Sequence, residues 1–127
     1  MWSSLRHWIP PLLWACAIFA LSSIPDLKSE LPTLWDTVLR KLAHMTEFGI
    51  LAVFLLAAFR QDGRAFLWDY AFVWLLVALY ACSDEVHQAA VTGRHGSLID
   101  VGIDAIGAAF GLYFAWRVAN RKERKGT

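Results

Sequence analysis

The run from Trp8 to Pro25 constrains this chain more than any other feature, because it holds no charged residue. As a helix it approaches the roughly 20 apolar residues that cross a bilayer. Three further runs are of similar length but carry charges: Asp36 to Phe59, Ala65 to Gln88 and Leu98 to Val118. Their length and their lack of period-two alternation favour helices over strands. In lipid, a lone helix satisfies its own backbone and a lone strand does not. Composition agrees: charged types make up 18% of the 127 residues and hydrophobic types 57%, where an ordinary soluble domain has about 25% charged. Disordered, collagen-like and disulfide-framework classes are excluded on the same grounds. A formal charge of +1 gives no case for nucleic acid as a partner. Cys16 and Cys82 both lie in apolar runs and read as small hydrophobes.

The links between runs are short and carry breakers: Pro32 in the first, Gly63 in the second, Gly93 and Gly96 in the third. Short links make successive helices antiparallel. The expected fold is all-α, a four-helix transmembrane bundle in up-down-up-down order with short loops. It forms one membrane domain over residues 1–127, with spans of about 8–25, 36–59, 65–88 and 98–118 and a basic cytoplasmic tail at 119–127. In that order Arg6, Arg60, Arg64, Arg117, Arg121, Lys122, Arg124 and Lys125 share one side, against Lys28 and Arg94 on the other. The positive-inside rule then puts both termini in the cytoplasm. The competing reading of the first run is a signal peptide, with Arg6 and His7 ahead of the apolar stretch and Ser22 and Ser23 after it. No clear A-x-A cleavage site supports it.

On this topology the ionisable groups converge. Lys41, His44 and Glu47 step by three along the second run, Asp84 and Gln88 by four along the third, and Asp100 and Asp104 by four at the start of the fourth. Residues three or four apart share a helical face. With Glu85 and the loop residue Arg94, all fall toward the outer ends of their segments, leaving Asp69 alone near the inner side. A charge at mid-bilayer costs about 2.5–3.5 kcal/mol on the insertion scale. These groups must therefore pair, line a wet cavity or lie at the interface. Glu47, about 15 Å below a helix start near Thr37, is hardest to excuse as interfacial. Some of the pattern has a plainer structural meaning. Ser97-x-x-Asp100 resembles a capping box, Glu47 and Lys41 suit an ion pair, and Gly107-x-x-x-Gly111 suits close helix packing. The basic tail suits anionic lipid heads. His7, His87 and His95 read as interfacial or loop residues, and Trp2, Trp8, Trp35, Trp68, Tyr70 and Trp116 as an aromatic belt.

Taken in order, Ser22-Ser23-Ile24-Pro25, Lys41-x-x-His44-x-x-Glu47, Asp84-Glu85-x-x-Gln88, Arg94, and Ser97-x-x-Asp100 followed by Asp104 and Gly107 resemble the VanZ-like membrane proteins, over about residues 8–118. That family often has Asp-Lys before its His, whereas here Arg40 precedes Lys41. The resemblance implies a small integral protein of the bacterial inner membrane and cell envelope. It also carries an association with antibiotic resistance, since the family takes its name from a member linked to low-level teicoplanin resistance. It implies no particular reaction.

Two functions fit the polar cluster. In the first, the protein is a membrane-embedded acid/base enzyme acting on an envelope lipid or lipid-linked substrate. His44 or Glu47 would be the base, and Asp84 or Glu85 would orient it or act as the acid. Lys41 and Arg94 would hold an anionic headgroup, with Gln88, Asp100 and Asp104 completing the binding set. In the second, the same pocket is a non-catalytic binding or interaction site for an envelope precursor, lipid headgroup, antibiotic or membrane partner. The acidic residues outnumber Lys41 and Arg94, so protons, a cationic ligand or a divalent metal must offset them. No spacing is diagnostic of a metal, and no cofactor is expected. A proton or ion pathway fits poorly, because polar groups are confined to one leaflet. The oligomeric state is left open.

Overall fold

A computed structural model describes residues 5–25, 33–61 and 64–126. The links at 26–32 and 62–63, with Lys28, Pro32 and Gly63, lie outside the described residues, as does Trp2. Among the described residues the chain forms four helices of fourteen or more residues and no strand: α1 Ile9–Ser22, α2 Thr33–Phe59, α3 Leu67–Ala89 and α4 Leu98–Lys125. The all-α bundle expected from the apolar runs is the observed fold.

Side-chain pairings give the directions. Trp8 meets Phe59 and Trp14 meets Phe54, so residue numbers rise on α1 as they fall on α2. Phe48 with Tyr80 and Phe59 with Phe72 set α2 against α3 in the same way. Trp74 Nε1 donates to the Ala105 carbonyl (2.9 Å) near the middle of α3 and α4, while Glu85 reaches Ser97 at their joined ends. Diagonal helices run parallel: Ala15 pairs with Tyr80 and Ser22 with Asp84, while Lys41 pairs with Asp100 and His44 approaches Asp104. Up-down-up-down order follows.

Three helices, α2, α3 and α4, are long and apolar enough to cross a membrane. The fourth, α1, has 14 residues, about 21 Å of helix against a hydrocarbon core of about 30 Å. The uncharged run from Trp8 to Pro25 thus yields the shortest of the four helices, because the chain turns at Ser23 ahead of Pro25. At the other extreme α4 continues past Val118 through the basic tail. Lys122, Arg124 and Lys125 in its last turn complement the helix dipole. Its 28 residues make about 42 Å, so its end outruns the hydrocarbon core.

Burial is inverted relative to a soluble protein. Asp104 is 1% exposed and Asp84 2%, whereas Leu13 is 66% and Phe114 68% exposed. Large apolar side chains face outward along every helix, as lipid contact requires, and Ser22, Asp84, Glu85, Gln88 and Asp104 are buried inside. The apolar core between them includes Ile18, Phe48, Leu51, Val73, Val77 and Leu112. Asp69, near the inner end of its span, sits in the first turn of α3, accepts the Phe66 N–H (2.6 Å) and pairs with Arg60 (2.6 Å).

The parallel pair α2 and α4 approaches at backbone distance. A Cβ on Gly107 would overlap the Met45 backbone, and one on Gly111 would overlap that of Gly49. Gly107-x-x-x-Gly111 is therefore a close-packing face, read against Gly49 on the partner helix. This contact brings the polar stripes of α2 and α4 together.

Candidate functional site

A cleft of about 570 Å³ opens between the first turns of α2, the last turns of α3, the loop after it and the start of α4. The α2 wall is one helical face, Thr33, Thr37, Lys41 and His44, with Asp36 and Arg40 alongside. Glu85, Gln88, Arg94, His95, Asp100, Ile103 and Asp104 complete it. Of the residues singled out from sequence, Lys41, His44, Glu85, Gln88, Arg94, Asp100 and Asp104 line this one cleft. Asp84 and Glu47 do not. Asp84 sits behind Gln88, and Glu47 lies one turn below His44, half-buried and near enough to Asp84 and Arg94 to feel both charges.

Three segments, α1, α3 and the loop after α3, are tied by one chain of hydrogen bonds. Ser22 Oγ, at the end of α1, donates to Asp84 Oδ2 (2.9 Å). Gln88 Nε2, one turn on along α3, donates to the same oxygen (2.7 Å). That fixes which way the Gln88 amide faces, and its Oε1 accepts from Arg94 Nη1 (3.0 Å). Arg94 is thus aimed from behind by a buried carboxylate it does not touch. A second tie runs from the loop to α3, where the Ser97 N–H donates to Glu85 Oε2 (2.8 Å). This changes the expected capping box. Ser97 caps α4 by accepting from the Ile99 N–H, but Glu85, not Asp100, takes the Ser97 N–H. Asp100 instead accepts from Lys41 Nζ (2.5 Å) across the parallel helix pair. Lys41 therefore pairs with Asp100 rather than Glu47.

The floor is different in kind. Asp104 is 1% exposed and lines the cleft. Among the described residues neither of its carboxyl oxygens finds a hydrogen-bonding partner. His44 Nδ1 lies 3.9 Å from Asp104 Oδ1, too far for a hydrogen bond. Arg94 Nε is likewise buried and without an acceptor, and no carboxylate lies within ion-pairing reach of Arg94 among the described residues. Buried polar atoms are nearly always satisfied, so one cleft holding an orphaned donor and orphaned acceptors is notable. Among the described residues, no three His, Cys, Asp or Glu side chains are grouped to hold a metal ion.

Sequence reasoning left out several participants. His95, read as a loop residue, lines the cleft. Arg40 and Asp36 form an i, i+4 ion pair (2.6 Å) on its rim; that spacing was legible in the sequence. Ser22, which closes the first run and opens the motif shared with the VanZ-like proteins, was given no role in the site. His87 is outside the cleft, stacked on Phe19 with its Nε2 2.9 Å from Ser23 Oγ.

Long outward-facing apolar helices around an inward-facing polar cleft define a small multi-pass membrane protein. The chain belongs to the VanZ/LLP1 family, whose family model matches residues 5–119. No curated protein and no solved structure gives a significant match.

Proposed function

We propose that this VanZ-like protein sits in the bacterial inner membrane with both termini cytoplasmic, and that its cleft, on the extracytoplasmic side, receives the headgroup of an envelope lipid or lipid-linked precursor. The orientation is supported by the cations that four spans place beside the termini and second loop: Arg6, Arg60, Arg64 and the basic end of α4. The observation that carries the binding role is Arg94, a cleft-lining guanidinium without a carboxylate partner among the described residues. Lys41 is committed to Asp100 and Arg40 to Asp36. Arg94 therefore remains to meet an anionic group, and a planar guanidinium suits phosphate.

Acid/base chemistry would centre on His44 with Asp104 beside it, rather than on Asp84, which is held by Ser22 and Gln88. A modest closure would let Asp104 accept from His44 Nδ1 and leave the other ring nitrogen to exchange a proton with a bound group. The second reading, binding without turnover, is favoured by a specific observation: Asp84, Glu85 and Asp100 each already hold a donor. The two separate on turnover. Purified protein is incubated with an envelope lipid extract and the lipids are followed by mass spectrometry. New lipid species that vanish with His44→Ala establish the enzyme; retained but unaltered lipid establishes the binding protein. Lipid retention unaffected by Arg94→Gln refutes the cleft as the site. Teicoplanin susceptibility of cells expressing the protein tests the resistance association separately.

A further inference from the structure

We infer that the cleft selects a zwitterionic phosphoethanolamine-type headgroup, its phosphate on Arg94 and its primary ammonium on the Asp104 floor. This rests on the proposed function and names the ligand class within it. Two orphaned groups of opposite character face one space. Arg94 Nε needs an acceptor, and both Asp104 oxygens need donors. A ligand answering both must carry an anion and a donor on one short frame.

Charge bookkeeping selects between donors. On the cleft wall Arg40 is offset by Asp36 and Lys41 by Asp100. That leaves Arg94, with the imidazoles of His44 and His95, against Glu85 and Asp104, with Glu85 already accepting the Ser97 N–H. A phosphodiester ending in a hydroxyl would add net negative charge, and each hydroxyl offers the two orphaned Asp104 oxygens a single O–H. A zwitterion adds no net charge, and its ammonium brings N–H donors to Asp104, where a charge-assisted hydrogen bond is strongest. A trimethylammonium has the same charge but no N–H, so it leaves Asp104 unsatisfied. Asp104 is 1% exposed, and a buried carboxyl group left without partners is costly.

The test compares phosphatidylethanolamine, phosphatidylcholine and phosphatidylglycerol of identical acyl chains, retained by the full-length protein in detergent and read by native mass spectrometry. Wild-type protein should retain the primary amine at least about tenfold over both others. The preference should collapse in Asp104→Asn, and all retention should fall in Arg94→Gln. The comparison among lipids needs no variant, so it stands even where a substitution fails to fold. Equal retention of amine and trimethylamine overturns the inference, as does a preference that survives Asp104→Asn. Lipids held in an Arg94-dependent way without amine preference sink the inference alone, whereas retention indifferent to Arg94 sinks the proposed function with it. Free O-phosphoethanolamine as competitor separates sources. Displacement of lipid shows that the headgroup chemistry suffices, and failure to displace assigns the site to the intact lipid; either supports the zwitterion given the amine preference.

Discussion

Replacing Gly107 with Ala tests the packing on which the cleft is built. The new Cβ would lie 2.7 Å from Met45 Cα and 2.8 Å from Met45 C, where ordinary contact begins at 3.4 Å. These are backbone atoms in the middle of a helix and cannot swing aside. The new Cβ would also overlap the Met45 carbonyl oxygen, which is nearer still, so the two helices must separate by more than about 0.7 Å in a close-packed interior, and overpacking of this kind costs about 1–3 kcal/mol. The same displacement would widen the gap between His44 and Asp104, one turn away on the same helix pair. Gly102→Ala is the control, since its Cβ would meet nothing within 4 Å, and removing a helical glycine there should cost nothing or gain up to about 1 kcal/mol. Unfolding by SDS titration, followed by circular dichroism, reads both. Gly107→Ala should unfold at a clearly lower SDS fraction than wild type, and Gly102→Ala should not. Equal midpoints for the two variants would refute the backbone contact between α2 and α4.

Three other outcomes follow from the geometry. Ser22→Ala removes a donor from the buried Asp84 and should destabilise by about 1–3 kcal/mol in the same titration; an unchanged midpoint contradicts the bond. Lys41→Ala breaks an ion pair whose side chains are 40% and 32% exposed, so its loss should cost no more than about 1 kcal/mol, and a larger drop would show that the pair is structural. With Cys16 and Cys82 replaced, Thr37→Cys should react with an impermeant thiol reagent on intact cells and Glu123→Cys only after lysis; the opposite pattern would invert the proposed orientation.

Much of this molecule is legible from residue spacing, and the remainder is illegible for definable reasons. Four apolar runs give four helices, and steps of three and four find the polar faces because helical geometry is local. The i, i+4 pair of Asp84 and Gln88 is an actual hydrogen bond. Spacing cannot tell which helix a stripe faces. Lys41 pairs with Asp100 instead of Glu47 because α2 and α4 run parallel in contact, a relation set by Gly49, Gly107 and Gly111 together. Glu47, the deepest charge on its stripe, falls below the cleft rather than in it. The loop defeats sequence reading most. Arg94, His95 and Ser97 are placed by Gln88 and Glu85 from the preceding helix, and no periodicity encodes that. Arg94 was marked by its charge and its place in the family pattern; Ser22 shared that pattern but carries no charge, and His95 had neither mark.

A working cleft requires water at the polar face of α2 while the other face meets lipid. In a background lacking Cys16 and Cys82, the decisive measurement is the rate at which a small charged thiol reagent labels His44→Cys and Leu42→Cys in opened membranes. The two positions lie within one helical turn of depth; His44 lines the cleft and Leu42 is outward-facing. Because only a hydrated thiolate reacts, His44→Cys should label rapidly and Leu42→Cys scarcely at all. Equal labelling, or protection of both, would contradict the cleft.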